Sequence, residues 1–185
     1  MGVGANGAVF DPDRDLVARA CGGDRDAFER LLRQHYDRMH RVAWRLTGSG
    51  ADAEDIAQDV CCALVEKIAS FKGEAKFTTW LTGIVVNACR DHRRRGLTSS
   101  RMRERLSVLA GLTARPDGRD CDRRIWLAGE LGRLDPLVRA TVVLVVGEDL
   151  THAEAARALG VAESTVSWRM HEARRQLNCT EGGSR

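Results

Sequence analysis

The chain is short of proline, the strongest helix breaker, and of tyrosine. Its 185 residues include three prolines and one tyrosine, and β-branched residues are seldom clustered. That balance argues for an all-α fold. Long apolar runs are also missing. The longest, Ala140 to Val146, falls far short of the roughly 20 residues that span a bilayer, so stable membrane insertion is not expected. The N-terminus has no basic stretch followed by an apolar core, so no secretory signal is expected. Met1-Gly2 opens like an acylation motif, but Asn6 stands where Ser or Thr is needed. The expected location is therefore cytoplasmic. Lysine is scarce: Lys67, Lys72 and Lys76 are the only ones among 29 basic residues. Phosphate contacts then fall mainly to arginine, with its planar fork of donors. The six cysteines (Cys21, Cys61, Cys62, Cys89, Cys121, Cys179) form no CxxC pair. Cys89 and His92 share a helix face, but no second pair completes a tetrahedral site. Adjacent cysteines such as Cys61 and Cys62 point about 100° apart on a helix and pair poorly. Neither a metal nor another cofactor is expected.

What is present organises into two helical domains. Residues 1–14 are Gly-rich and aperiodic and read as a disordered tail. Asp15 to Cys21 starts a helix that ends at Gly22-Gly23. Asp24 can cap a long helix from Asp26 to Thr47, with Phe28, Leu31, Leu32, His35, Met39, Val42, Ala43 and Leu46 on its apolar stripe. Asp52 is the expected cap of the next helix, which buries Ile56, Val60, Leu64 and Ile68. Its other face shows Asp55, Gln58, Asp59, Cys62 and Glu66, an acidic surface suited to a basic partner. FKGEAKFTT, from Phe71 to Thr79, breaks the helical pattern. Thr78 or Thr79 then caps a helix from Trp80 to Arg95 that ends in Arg90, Arg93, Arg94 and Arg95. Cations at a helix C-terminus are favoured by the dipole, but four exceed what that requires. An aromatic loop beside an Arg-rich helix suits single-stranded nucleic acid, through stacking and phosphate contacts.

The first domain is thus 15–96, and 97–121 is a flexible basic linker. The second domain is 122–180. It opens with a helix from Arg123 to Arg133 carrying Ile125, Trp126, Ala128, Leu131 and Leu134, and Pro136 starts the next. The stretch LTHAEAARALGVAESTVSWRMHEARRQL, Leu150 to Leu177, reads as two short helices around Gly160. Thr151 and Glu154 form a capping box. Val166, Met170, Ala173 and Leu177 share one face, and Thr165, Ser167, Trp168, Arg169, His171, Glu172, Arg174 and Arg175 occupy the other. Such a helix suits a DNA major groove.

In this order the features resemble the bacterial extracytoplasmic-function sigma factors, small promoter-recognition subunits of RNA polymerase. The resemblance spans about residues 15 to 178. It is carried by AEDIAQDVCCALVEKIASFKGEAKFTTWLTGIVVNACRDHRRR, which looks like sigma region 2, and by the helix-turn-helix, which looks like region 4. It implies a non-enzymatic subunit that binds core RNA polymerase at its clamp and flap and directs transcription initiation at a specific regulon. The acidic helix would place Asp55, Gln58, Asp59 and Glu66 at the clamp. The loop Phe71, Lys72, Gly73, Glu74, Ala75, Lys76 and Phe77, with Asn87, Arg90 and Arg94, would hold the −10 element as non-template single strand. Trp80 reads as core rather than as a base stacker. Ser164, Thr165, Ser167, Trp168, His171 and Arg174 would read the −35 element as duplex, and an anti-sigma factor would be a further partner. The recognition helix departs from the family pattern: Ser164 replaces a glycine, and Ser167 and Glu172 stand where basic residues are common. An alternative is a helix-turn-helix regulator acting without polymerase. It explains Leu150 to Leu177 but neither the aromatic loop nor the acidic helix.

Overall fold

The computed structural model describes residues 11–103 and 119–181, with side chains described for 11–96 and 126–177. All regular structure among them is helical. Helices α1 (Arg14–Cys21), α2 (Arg25–Thr47), α3 (Gly50–Lys67) and α4 (Phe77–Arg103) form the first bundle, with a 3₁₀ turn at Ile68–Ser70 closing α3. Helices α5 (Arg119–Arg133), α6 (Pro136–Val142), α7 (His152–Leu159) and α8 (Glu163–Glu181) form the second, with a π turn at Val143–Gly147 after α6.

The stripes expected from the 3.6-residue period face the core of the first bundle, with Phe28, Leu32, Leu46 and Ile84 only partly buried at its edge. Leu31, His35, Met39, Val42 and Ala43 of α2 meet Ile56, Val60, Leu64 and Ile68, and Leu81, Val85 and Val86 of α4 complete the core. Asp24 caps α2, its carboxylate accepting the Ala27 N–H at 3.0 Å. Gly48 closes that helix in the left-handed region at φ 75°, where a side chain would be strained. In the second bundle, Pro136 sits in the first turn of α6 beneath the Asp135 cap. The capping box Thr151–Glu154 is complete, and Gly160 makes the turn at φ 66°.

Several boundaries differ from those expected. Ser49, not Asp52, caps α3, its hydroxyl accepting the Asp52 N–H at 3.2 Å. Helix α4 begins at Phe77, so Thr78 and Thr79 lie inside its first turn, and it continues to Arg103, into the stretch read as linker. Helix α5 begins at Arg119, before the expected domain start. Asp11 and Asp13, read as part of a disordered tail, are fixed by hydrogen bonds to the first bundle. Trp126 is 64% exposed instead of lying on the α5 stripe. It sits one residue off the real stripe of Leu127, Leu131 and Leu134, a rotation of about 100°.

The two bundles touch. Glu148 follows the π turn, and its carboxylate is only 1% exposed. It accepts from Arg38 Nε at 2.7 Å and Arg45 Nη1 at 2.9 Å, with Arg41 Nε at 3.4 Å, all from α2. Arg45 Nη1 also donates to the Gly147 carbonyl at 2.6 Å. Helix α7 crosses α4 closely at Gly83, where an added Cβ would stand 3.0 Å from the Ala158 carbonyl oxygen.

Candidate nucleic-acid interface

The loop after α3 is shaped by three aromatic rings. Phe71 meets Phe77 edge-on with centroids 5.7 Å apart, and lies 5.2 Å from Trp80. Phe77 and Trp80 are 5.7 Å apart. Offset and edge-to-face pairs of this kind stabilise beyond their buried area. Gly73 turns the loop at φ 69°. Phe77 is buried behind the other two rings, 2% exposed, and its ring packs on His35 at 5.4 Å. Phe71 and Trp80 line a cavity of about 450 Å³ together with Lys72, Glu74, Ala75 and Asn87, and with Gly83, Ile84, Arg157 and Ala158 on the far side.

The structure therefore brings most of the expected loop residues to one place. Phe77 is the correction, because a buried ring cannot present a face to a base. Trp80, read as core, is half-buried and also lines the cavity. Its signal was in the spacing: Trp80, Gly83, Ile84 and Asn87 recur at three and four residues, so they share a helix face. Lys76 turns away, with Nζ 3.6 Å from Glu154 of α7. Arg90 donates a long 3.4 Å bond to Asn87. Burial first, and then the neighbouring Arg169 and Arg93, lower its pKa. Arg94 is exposed beside Asp91 at 3.3 Å.

On α3, Asp55, Gln58, Asp59 and Glu66 are all exposed, as expected, with exposed Cys62 and Val65 among them. Gln58 is held by Glu54 at 3.0 Å, and Glu54 accepts the Tyr36 hydroxyl at 2.7 Å. That bond is the main reason why the tyrosine is pushed up to about 12 and the Glu54 carboxyl is lowered. Asp59 lies 3.6 Å from Arg95 across an exposed gap. Such a pair contributes little and leaves the acidic face available.

On α8, Ser164, Ser167, Trp168, His171 and Arg174 face solvent and Thr165 is half-buried. Trp168 is 62% exposed. Ser167 Oγ lies 3.0 Å from His152 Nδ1, which fixes one edge of the helix to α7. Two residues differ from the expected outer face. Arg169 is only 9% exposed, with Nη1 buried and unpartnered. Glu172 is folded down onto Arg175 at 2.6 Å and Gln176 at 2.7 Å, so it is not a free acceptor for a base. The bonds from Arg175 and Gln176 hold its carboxyl down at about 2.

Among the described residues, no group of three or more His, Cys, Asp or Glu side chains could hold a metal ion. No helix there is long and apolar enough to cross a membrane. Cys89 is buried, which pushes its thiol up to about 12, while Cys21 and Cys62 are exposed free thiols.

Comparisons with known proteins agree with this layout. The family described as Sigma-70 region 2 matches residues 31–97, and Sigma-70, region 4 matches residues 124–177. The chain is 36% identical to the ECF RNA polymerase sigma factor SigM of Mycobacterium tuberculosis over 176 residues, which cover 95% of this chain and 87% of SigM. It resembles the solved structure of CnrH in complex with the cytosolic domain of CnrY, with a TM-score of 0.72, 26% identity, and coverage of 94% of this chain and 100% of that one. The fold also matches the sigma factor RpoE from Bartonella quintana, solved with the anti-sigma factor NepR, at a TM-score of 0.63, 22% identity, and coverage of 85% and 98%. With two sigma regions in the right order and this identity over nearly the whole chain, the protein belongs to the ECF RNA polymerase sigma factors.

Proposed function

We propose that the two domains divide promoter recognition between melted and intact DNA. As an ECF sigma factor, the chain is a polymerase-binding subunit that directs initiation. In the proposed division, the exposed faces of Ser164, Thr165, Ser167, Trp168, His171 and Arg174 lie on the −35 duplex. The cavity under Phe71 takes a base of the −10 non-template strand after it has left the stack. Phe71 and Trp80 supply ring faces, Asn87 supplies a hydrogen-bonding edge, and Lys72, Arg90 and Arg94 hold phosphates. Unstacking costs a few kcal/mol, and stacking on an aromatic returns about 1–3 kcal/mol per base. Affinity reserved for the opened strand thus favours melting. The acidic face of Asp55, Gln58, Asp59 and Glu66 docks on a basic element of the polymerase clamp. Phosphodiester synthesis remains the polymerase's, and the location is cytoplasmic. An anti-sigma protein is a further proposed partner, as NepR is in the complex with RpoE.

The observation that carries this reading is the 450 Å³ cavity in which Phe71, Trp80 and Asn87 converge. Run-off transcription with core polymerase, with and without the protein, tests the function. New transcripts should appear only with the protein and should weaken steeply with salt. Phe71→Ala and Asn87→Ala should lower strand opening, followed by permanganate reactivity, while leaving −35 duplex binding within about twofold; stacking loss alone predicts roughly tenfold. Equal loss in both assays would contradict the assignment.

A further inference from the structure

The first turn of α4 has no local side-chain cap. Its first residue is Phe77, and an N–H at that position has no partner within the helix. Lys76, just before it, has no side-chain acceptor. The partner comes from far away: Asp11 Oδ2 accepts the Phe77 N–H at 2.7 Å, from 66 residues earlier in the chain. Asp11 Oδ1 also accepts the Asp13 N–H at 3.1 Å.

Asp13 then anchors the pair. It stands at the N-cap of α1, where a carboxylate ordinarily bonds its own helix. Here it makes no such bond. Its side chain turns inward to α2 instead. Oδ1 accepts from Gln34 Nε2 at 2.7 Å, and Oδ2 lies 2.9 Å from His35 Nε2, too far off line for a hydrogen bond. Asp13 is 1% exposed, so this is a buried carboxylate committed to one place. Pro12 between the two aspartates fixes its own φ, and its ring disfavours a helical conformation at Asp11. The same His35 packs on the Phe77 ring at 5.4 Å. Asp11 therefore holds the Phe77 backbone directly, Asp13 anchors the segment to α2, and Phe77 in turn supports Phe71 and Trp80, which line the cavity.

We propose that Asp11, Pro12 and Asp13 form a strap that positions the promoter-reading loop, so that residues before the first helix set affinity for melted DNA without touching it. The strap rests on the reading that the Phe71 cavity takes a base. With Phe77 held, Phe71 and Trp80 keep their relative angle before any strand arrives, and a preformed site loses less entropy on binding. Asp11 is a positioning residue and touches no base.

The test uses the full chain with core polymerase and a fork-junction DNA. That DNA carries the duplex −35 region and a single-stranded non-template −10 overhang, taken from a promoter that gives run-off product. Asp11→Ala should weaken fork-junction binding about fivefold, the usual worth of a helix cap, with −35 duplex binding unchanged. Asp11→Asn keeps an oxygen for the Phe77 N–H and should restore binding to within about twofold. Phe71→Ala is the companion arm. If Phe71→Ala weakens binding and Asp11→Ala does not, the strap is refuted and the cavity reading stands. Loss in Asp11→Ala that Asn fails to restore, or loss shared equally with −35 duplex binding, also refutes it, because general unfolding then explains the effect. If neither variant weakens binding, or Phe71→Ala alone is silent, the cavity reading fails and the strap with it.

Discussion

At the scale of single residues, burial decides roles that residue type leaves open. His35 is an example. Its place on the α2 stripe was legible from spacing, and it is buried. Burial is the largest influence on its imidazole and lowers the pKa, as does the charge of Arg38, while the Asp13 and Asp11 carboxylates oppose them. A group whose pKa falls on folding contributes stability above its unfolded value, near 6.5 for histidine, and that contribution fades as pH falls toward the folded value. Wild type should therefore lose part of its advantage over His35→Gln between pH 7.5 and pH 5.5 in urea unfolding. An advantage that holds or grows on acidification would refute this. Arg169 shows the opposite lesson. It lies three residues after Val166 and four before Ala173, so the spacing already placed it beside the buried seam. Its charge argued for the outer face. A long apolar stem lets arginine line a core with its head at the edge, and the element that covers that head was not visible from the local pattern.

At the scale of elements, the helices were legible and their ends were not. Alternation between apolar and polar positions survives any context, so the stripes of α2 and α3 and the turn at Gly160 were readable in advance. A cap is a contest between neighbouring candidates. Ser49 and Asp52 are both good N-caps, and the Asp52 N–H turns out to be the donor. Ser49→Ala should therefore cost about 1 kcal/mol in chemical unfolding, and Asp52→Ala clearly less. The reverse order would mean that the cap is misassigned. The start of α4 was illegible for a stronger reason: its partner, Asp11, comes from the far end of the bundle. The cavity was partly legible, since Phe71, Lys72 and Asn87 were expected there. Phe77 was misjudged because two aromatics in one loop look alike until one is seen to be buried in the core.

At the scale of the molecule, the decisive contacts join residues about 100 positions apart, which no local pattern announces. Glu148, just after the π turn, is the shared acceptor of Arg38, Arg41 and Arg45. Elsewhere on the same seam, Arg90, Arg93, Arg139 and Arg169 bring like charges together, and their mutual repulsion lowers the pKa of Arg90 and Arg139 after burial has done so. Glu148→Gln keeps the shape and removes the attraction. Hydrogen bonds to a charged group are worth about 1.5–3 kcal/mol, so the closed arrangement should weaken by roughly tenfold or more. Fluorophores on the two bundles, or small-angle scattering, should report a longer separation in the variant; an unchanged separation would show that the π turn and α7 hold the bundles without Glu148. The close crossing at Gly83 has a further consequence. Arg157 and Ala158 form one wall of the cavity, so under the proposed reading an entering strand competes with α7 for that wall. Affinity for melted DNA is then the intrinsic affinity multiplied by the fraction of molecules that are open. If the closed form were favoured a hundredfold, free protein would bind about a hundredfold more weakly than its pocket allows. A polymerase that seats the two bundles apart would restore that factor without touching the strand, and by reciprocity a bound strand would tighten the polymerase by the same factor.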